Sequence, residues 1–165
     1  MKVVVSDTSC ISNLIVIGRL DLLKSTYGHI LIPTAVWSEV TALEKFGVNL
    51  TEFRGASWIE MIPVKPEELV QLQPFKLDVG ETEAIALAKI VAADLLLIDE
   101  RMGREVARKL GIKTTGLLGT IITAKSLNKA ISVKQILDEL KTKAGFWISN
   151  DLYLEALKLS NELEG

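Results

Sequence analysis

One cysteine and one histidine, Cys10 and His29, are all this 165-residue chain contains of either type. A single cysteine excludes an internal disulfide and fits a reducing compartment. Together the two leave too little soft or imidazole material for a zinc site or a histidine-dependent nucleophilic triad. Cys10 reads as a small residue packed in the first helix, and His29 as a turn residue. No apolar run reaches the roughly 18–20 residues needed to cross a bilayer. No basic stretch leads into a signal-type apolar run at the N-terminus, so the expectation is a cytoplasmic chain without membrane contact. Neither G-x-G-x-x-G nor a Walker A sequence follows the first strand, which argues against dinucleotide and P-loop nucleotide binding. A dominant charge is missing too: 19 Lys and Arg face 21 Asp and Glu, for a net charge of −2. That balance gives no overall basic footprint for nucleic acid, although clustered carboxylates would cancel a local basic patch in the sum. Internal repeats and low-complexity segments are absent.

What the chain has in surplus is apolar residues, 48% of the total, with a mean hydropathy of +0.31. The length suits one domain with a substantial core. The surplus points to one more buried surface, such as a homodimer interface. Trp37, Trp58 and Trp147 read as core or interface anchors rather than base-stacking platforms.

Val3-Val4-Val5 reads as a short buried strand running into Ser6-Asp7-Thr8-Ser9. Thr8 or Ser9 is a suitable cap for a helix over 10–17, and Gly18 separates it from a second over 19–25. Ile30-Leu31-Ile32 is a second buried strand. A helix then starts behind Pro33, with Val36, Val40 and Leu43 on its buried face and Glu39 beside them. The pattern weakens from Phe46 to Ser57, which is expected as a mobile or partner-binding segment. Trp58 to Val64 alternates with period two and ends near Pro63, the signature of an edge strand. A short helix over 67–73 and a loop over 74–79 precede a long Ala-rich helix from Gly80 to Val91. Asp94 to Asp99 is a further apolar strand ending in an acid. A helix from Glu100 to Leu110 follows, with Glu100/Arg104 and Glu105/Lys109 at ion-pair spacing. Ile112 to Thr115 is a last strand, and helices follow over 117–126, 133–143 and 152–163. This alternation predicts an α/β fold, a central parallel sheet flanked by helices. The expected division is a domain over 1–130 and a C-terminal helical extension over 131–165, packed on that domain or on a dimer partner.

In such a sheet ligands bind beyond the carboxyl ends of the strands. Asp7 and Asp99 end strands there. Glu81 begins a helix on the same edge, and Glu39 lies one helical turn beyond Pro33. Glu83, Glu100 and Asp78 stand in reserve. Each acid alone has a plain explanation: a polar strand cap for Asp7, a solvated helix residue for Glu39, a first-turn acid facing the helix dipole for Glu81, an N-cap for Asp99. Together they form a ring of hard oxygen donors suited to Mg²⁺ or Mn²⁺, and to phosphodiester hydrolysis by a metal-activated water.

Four segments carry a family resemblance: Val3–Ser9, Ile32–Val40, Gly80–Ala88 and Leu96–Glu100. Together they resemble a PIN domain, nearest to the VapC-like nucleases. The resemblance covers about residues 1–130. It implies a Rossmann-like three-layer sheet, a metal-dependent ribonuclease and often a homodimer. Such proteins commonly act as toxins, each inhibited by a cognate antitoxin. By position, Asp7, Glu39, Glu81 and Asp99 resemble the four metal-binding acids, while Thr8, Ser9 and Asn13 stand where polar support is expected. The third acid is usually Asp, and here the choice lies between Glu81 and Glu83. On a helix these two point about 200° apart. Glu81 is preferred because Ala84 and Ala88 continue its face. The last motif lacks its usual hydroxyl residue, leaving open whether Asp99 takes the hydroxyl's place and Glu100 shares the metal role. The leading expectation is thus a metal-dependent endoribonuclease acting on RNA. A catalytically weak or inactive PIN-fold protein that binds nucleic acid as a scaffold is the alternative, and a small-molecule phosphatase a third. Arg101, Arg104 and Lys109 are candidate phosphate contacts, against a solvated, ion-paired helix face.

Overall fold

Strands buried on both faces read as near-continuous apolar runs, and three runs in this chain fit that pattern. In the computed structural model, which describes residues 2–163, they become β1 (Val4–Ser6), β2 (Ile30–Pro33) and β4 (Leu95–Leu97) at the centre of one sheet. The less buried β3 (Ile59–Ile62) and the two-residue β5 (Thr114–Thr115) form its edges. The order is β3-β2-β1-β4-β5 and every pairing is parallel. The chain winds outward from β1 through β2 to β3, then returns to lay β4 on the other side of β1. The strand order therefore reverses between β1 and β4, and their carboxyl ends open a crevice there.

Nine α-helices accompany the strands among the described residues: α1 (Thr8–Val16), α2 (Asp21–Tyr27), α3 (Thr34–Ala42), α4 (Thr51–Arg54), α5 (Val79–Ile90), α6 (Arg101–Lys109), α7 (Leu117–Leu127), α8 (Val133–Lys143) and α9 (Asn150–Leu159). Alternate strand residues face two separate cores. Val4, Ile30, Ile32 and Leu97 point into one, packed by α1, α2, α3 and α7 to α9. Val5, Leu31, Leu96 and Ile98 point into the other, packed by α5 and α6. The small residues of α5, Ala84, Ala86 and Ala88, are buried and let that helix lie close to the sheet. Helix α8 buries Val133, Ile136, Leu137 and Leu140 in the first core, so residues beyond 131 share a core with β1 and β2.

Three expectations need correction. The stretch from Phe46 to Ser57 includes a packed helical turn: α4 buries Phe53, whose ring lies 5.0 Å from that of Trp37, and Gly47 turns the chain with φ 83°. Its periodicity is weak because only Leu50 and Phe53 turn fully inward there. Of the tryptophans expected as core or interface anchors, Trp147 lies outside the core, 81% exposed. On α6 the ion pair formed is Arg101 with Glu105 (3.3 Å), not the spacings read from Glu100 and Glu105 forward. Lys109 instead sits 5.7 Å over the ring of Phe75.

Candidate functional site

Asp7 is the first residue past β1. Its backbone N–H still donates to Leu97 O of β4 (2.9 Å), so the side chain leaves the sheet at the reversal point. The carboxylate caps α1, accepting from the Thr8 backbone N–H at 2.6 Å. Glu39 comes from the second turn of α3, and its Oε2 accepts from the Thr8 hydroxyl. Asp78 caps α5 by accepting from the Glu81 N–H at 2.7 Å. Glu81, in the first turn of α5, is buried. Asp99 lies two residues past β4 and accepts from the Ser9 hydroxyl (3.1 Å) and from the Leu117 N–H that opens α7 (2.8 Å). Glu100 begins α6 and is exposed, with no side-chain bond to the helix it caps.

These six carboxylates line one cleft of about 390 Å³, with Thr8, Ser9 and Ser12 the hydroxyls beside them and no Lys or Arg in its wall among the described residues. Crowding acids away from water, without cations, disfavours their charged forms. Burial pushes Asp7 up to about 7, the Thr8 N–H offsets part of that, and Asp78, Glu39 and Asp99 add to it. Burial also raises Glu81, helped by Asp78, Asp7 and Glu100. The Oε2 of Glu81 is buried and has no hydrogen-bond partner among the described residues. Such an oxygen carries a desolvation penalty that a proton or a cation would relieve.

Glycines keep the carboxylates in place. A Cβ on Gly80 would collide with the Glu39 carboxylate, and one on Gly116 with Asp99 Oδ1. A Cβ on Gly103 would come within 3.0 Å of Glu81 Oε2. Three backbone segments thus approach three different acids so closely that a methyl group would push each carboxylate from its place.

The structure brings together Asp7, Glu39, Glu81 and Asp99, with Thr8 and Ser9 beside them. It leaves two expected residues outside. The Oε1 of Glu83 accepts from Ala35 N (3.1 Å) and so caps α3, which has no other side-chain cap. Asn13 donates to the Ser9 carbonyl (2.9 Å), steadying α1 rather than an acid. Asp78, expected only as a reserve, joins the cleft in full, because as the N-cap of α5 it stands beside Glu81 at the helix start. Asp99 and Glu100 both reach the cleft, with Asp99 the more firmly held.

The donor set is carboxylate and hydroxyl oxygen, which matches hard cations such as Mg²⁺ or Mn²⁺. The unpartnered Glu81 oxygen and the raised Asp7 fit a bound cation as well. Among the described residues no three acidic, histidine or cysteine side chains stand close enough to grip an ion as they are. Glu39, Asp78 and Asp99 are engaged with Thr8, the Glu81 N–H, Ser9 and the Leu117 N–H instead.

A family model described as a PIN domain matches residues 3–162. That span runs from β1 through α9. Among curated proteins no sequence matches the chain.

Proposed function

The chain belongs to the PIN-domain family, whose members are generally nucleases that use divalent metal ions, and from that premise we propose that it is a metal-dependent endoribonuclease of the VapC-like kind. One observation carries the proposal: six carboxylates line a single small cleft at the reversal point of the sheet, with no basic side chain in its wall among the described residues. Asp7, Glu39, Glu81 and Asp99 would hold the ion, with Glu100 and Asp78 within the same cleft. When bound, Mg²⁺ or Mn²⁺ supplies a water of lowered pKa and neutralises charge on the phosphoryl oxygens.

The chain's own residues supply position. The Thr8 hydroxyl fixes the Glu39 carboxylate, and the Thr8 N–H fixes Asp7. Ser9 and the first N–H of α7 hold Asp99 from two directions. Each bond leaves a carboxylate further lone pairs for a cation. The hydrogen atoms of Gly80, Gly103 and Gly116 leave Glu39, Glu81 and Asp99 their places. A toxin role held in check by an antitoxin belongs to the same proposal.

The test is cleavage of labelled RNA with Mg²⁺, Mn²⁺ or EDTA, comparing the protein with Asp7→Asn. The proposal expects internal cleavage that needs metal and falls by at least about a hundredfold in Asp7→Asn, the scale set by losing strong electrostatic stabilisation of the transition state. Metal-dependent cleavage that survives Asp7→Asn would refute the site assignment. The second reading, a PIN-fold protein that binds nucleic acid without cutting it, is favoured by the lack of a closely gathered ligand trio among the described residues. RNA binding without cleavage in either metal would select it.

A further inference from the structure

Beside the acid cleft lies a larger one of about 1160 Å³, and Asp99 and Glu100 line both. Its walls come from α6, the end of β5, the start of α7 and the loop between α8 and α9. Helix α6 contributes Arg101, Arg104 and Arg108, which share one face at i, i+3 and i+7. Arg101 pairs with Glu105. Arg104 and Arg108 have no ion-pair partner among the described residues, although carboxylates are plentiful next door. The loop between α8 and α9 contributes Trp147. Its neighbours Phe146 and Ile148 pack against the core, and Phe146 is tied by its N–H to Leu140 O (2.9 Å). Two anchored residues thus hold an indole outward, 81% exposed, over a cleft supplied with guanidinium groups.

An exposed aromatic beside arginines that have no ion-pair partner among the described residues has the two parts of a single-strand platform: π-stacking for a base and charge for the phosphates. The acid cleft repels a polyanion, so cations are needed on the path toward it. We propose that this cleft binds single-stranded RNA, with phosphates on Arg104 and Arg108 and an unpaired base on Trp147, and leads the strand past Asp99 and Glu100 into the acid cleft. The choice of RNA rests on the nuclease reading. The choice of a single strand rests on Trp147, since a paired base keeps its faces in its own stack.

The test measures binding in EDTA, where cleavage plays no part. The full-length protein is titrated with a fluorescein-labelled oligouridylate of about a dozen nucleotides, enough to span more than one stacking site. Anisotropy and tryptophan emission are both followed. Trp147→Ala is expected to weaken binding about 5- to 100-fold, the range for losing one base stack, and to abolish the RNA-induced quenching. Arg104→Ala with Arg108→Ala is expected to weaken binding and to lower the salt slope by about 1.4, roughly 0.7 for each single-strand phosphate left without its guanidinium. Lys89→Ala, on α5 outside the cleft, should change nothing, and circular dichroism should report a retained fold in every variant. Unchanged affinity in both cleft variants would overturn the proposal, as would a duplex of equal length binding as tightly as the single strand. A sedimentation mass that falls from dimer to monomer in Trp147→Ala, with RNA affinity intact, would give the cleft to a second copy of the chain and also overturn it. Cleavage with Mn²⁺ is scored separately. If the protein cuts RNA while the cleft variants bind normally, the RNA path is wrong and the nuclease reading stands. If the protein neither binds nor cuts RNA, both fall.

Discussion

Asp7 is held where its charge is least comfortable. Its pKa rises from 3.8 to about 7 on folding, chiefly through burial. An acid with a raised folded pKa binds more protons folded than unfolded between those values, so stability falls as pH climbs through that window. The penalty is absent below about pH 4 and fully present above about pH 7. Asn keeps the acceptor oxygen for the Thr8 N–H and loses the charge. Asp7→Asn in EDTA should therefore be more stable than the native protein by on the order of 2 kcal/mol near pH 8, and no more stable near pH 4. Thermal melts at the two pH values decide it, and a variant less stable at both would contradict the account. Asp7 was legible in the sequence because a carboxylate directly after a buried strand has few structural excuses. Choosing Glu81 over Glu83 drew only on helical phase. Its physical explanation, that Glu83 caps α3, needed the distance between two residues 48 apart in the chain.

Helix starts do most of the positioning. Asp78 caps α5, Glu83 caps α3 from outside, and Asp99 sits at the opening of α7. These roles separate two adjacent acids experimentally. Glu83→Ala should cost about 1 kcal/mol, as a lost helix cap does, and leave the rate of RNA cleavage near normal. Glu81→Gln should leave the fold intact and remove cleavage. Urea denaturation and cleavage assays on both variants give the answer, and the reverse pattern would exchange the two assignments. The glycines offer a second test at this scale. Gly116→Ala places a methyl group against Asp99 Oδ1, the end of a side chain that can turn aside. The backbone there is extended, with φ −104°, so alanine adds no strain. Cleavage should fall about 10- to 100-fold, the scale for disturbing the support of a ligand, with little change in melting temperature. Unchanged cleavage would mean that Asp99 is not needed where it stands. Sequence periodicity anticipated nearly all of these elements, and their ends to within a few residues. It missed α4, where too few residues turn inward to make a pattern. It also missed Arg108, whose only signal was its i+4 spacing from Arg104.

Across the whole molecule, the apolar surplus is shared between two cores, one on each side of the sheet. The C-terminal helices belong to the first. Glu162 ties them down: it accepts from the backbone N–H of Val133 (2.7 Å) and Lys134 (3.0 Å) at the start of α8, and pairs with Lys125 of α7 (3.4 Å). Burial works against its charge, but those N–H groups and Lys125 outweigh it and hold its pKa below the usual value. That contribution is complete above about pH 4.5 and is lost as pH falls through the lowered folded value. Glu162→Ala should destabilise the whole protein by about 1–3 kcal/mol in urea at neutral pH, with a single cooperative transition. A second transition, with the sheet unfolding independently, would support the expected boundary at residue 130. The parallel sheet itself was legible because both faces of its central strands are covered, which makes them near-continuous apolar runs. The gathering of the acids was legible only as an expectation, since carboxylates from four separate chain segments meet only once β4 returns beside β1.

The central claim is that this cleft is built for a divalent cation, and calorimetric titration of Mn²⁺ into the metal-free protein tests it without reference to any substrate. The native protein and Lys134→Ala, remote on α8, should bind saturably and alike. Asp7→Asn should lose more than the roughly 10- to 100-fold in affinity that removing an outer-shell partner costs. Equal binding by Asp7→Asn, or no binding by the native protein, would contradict the account.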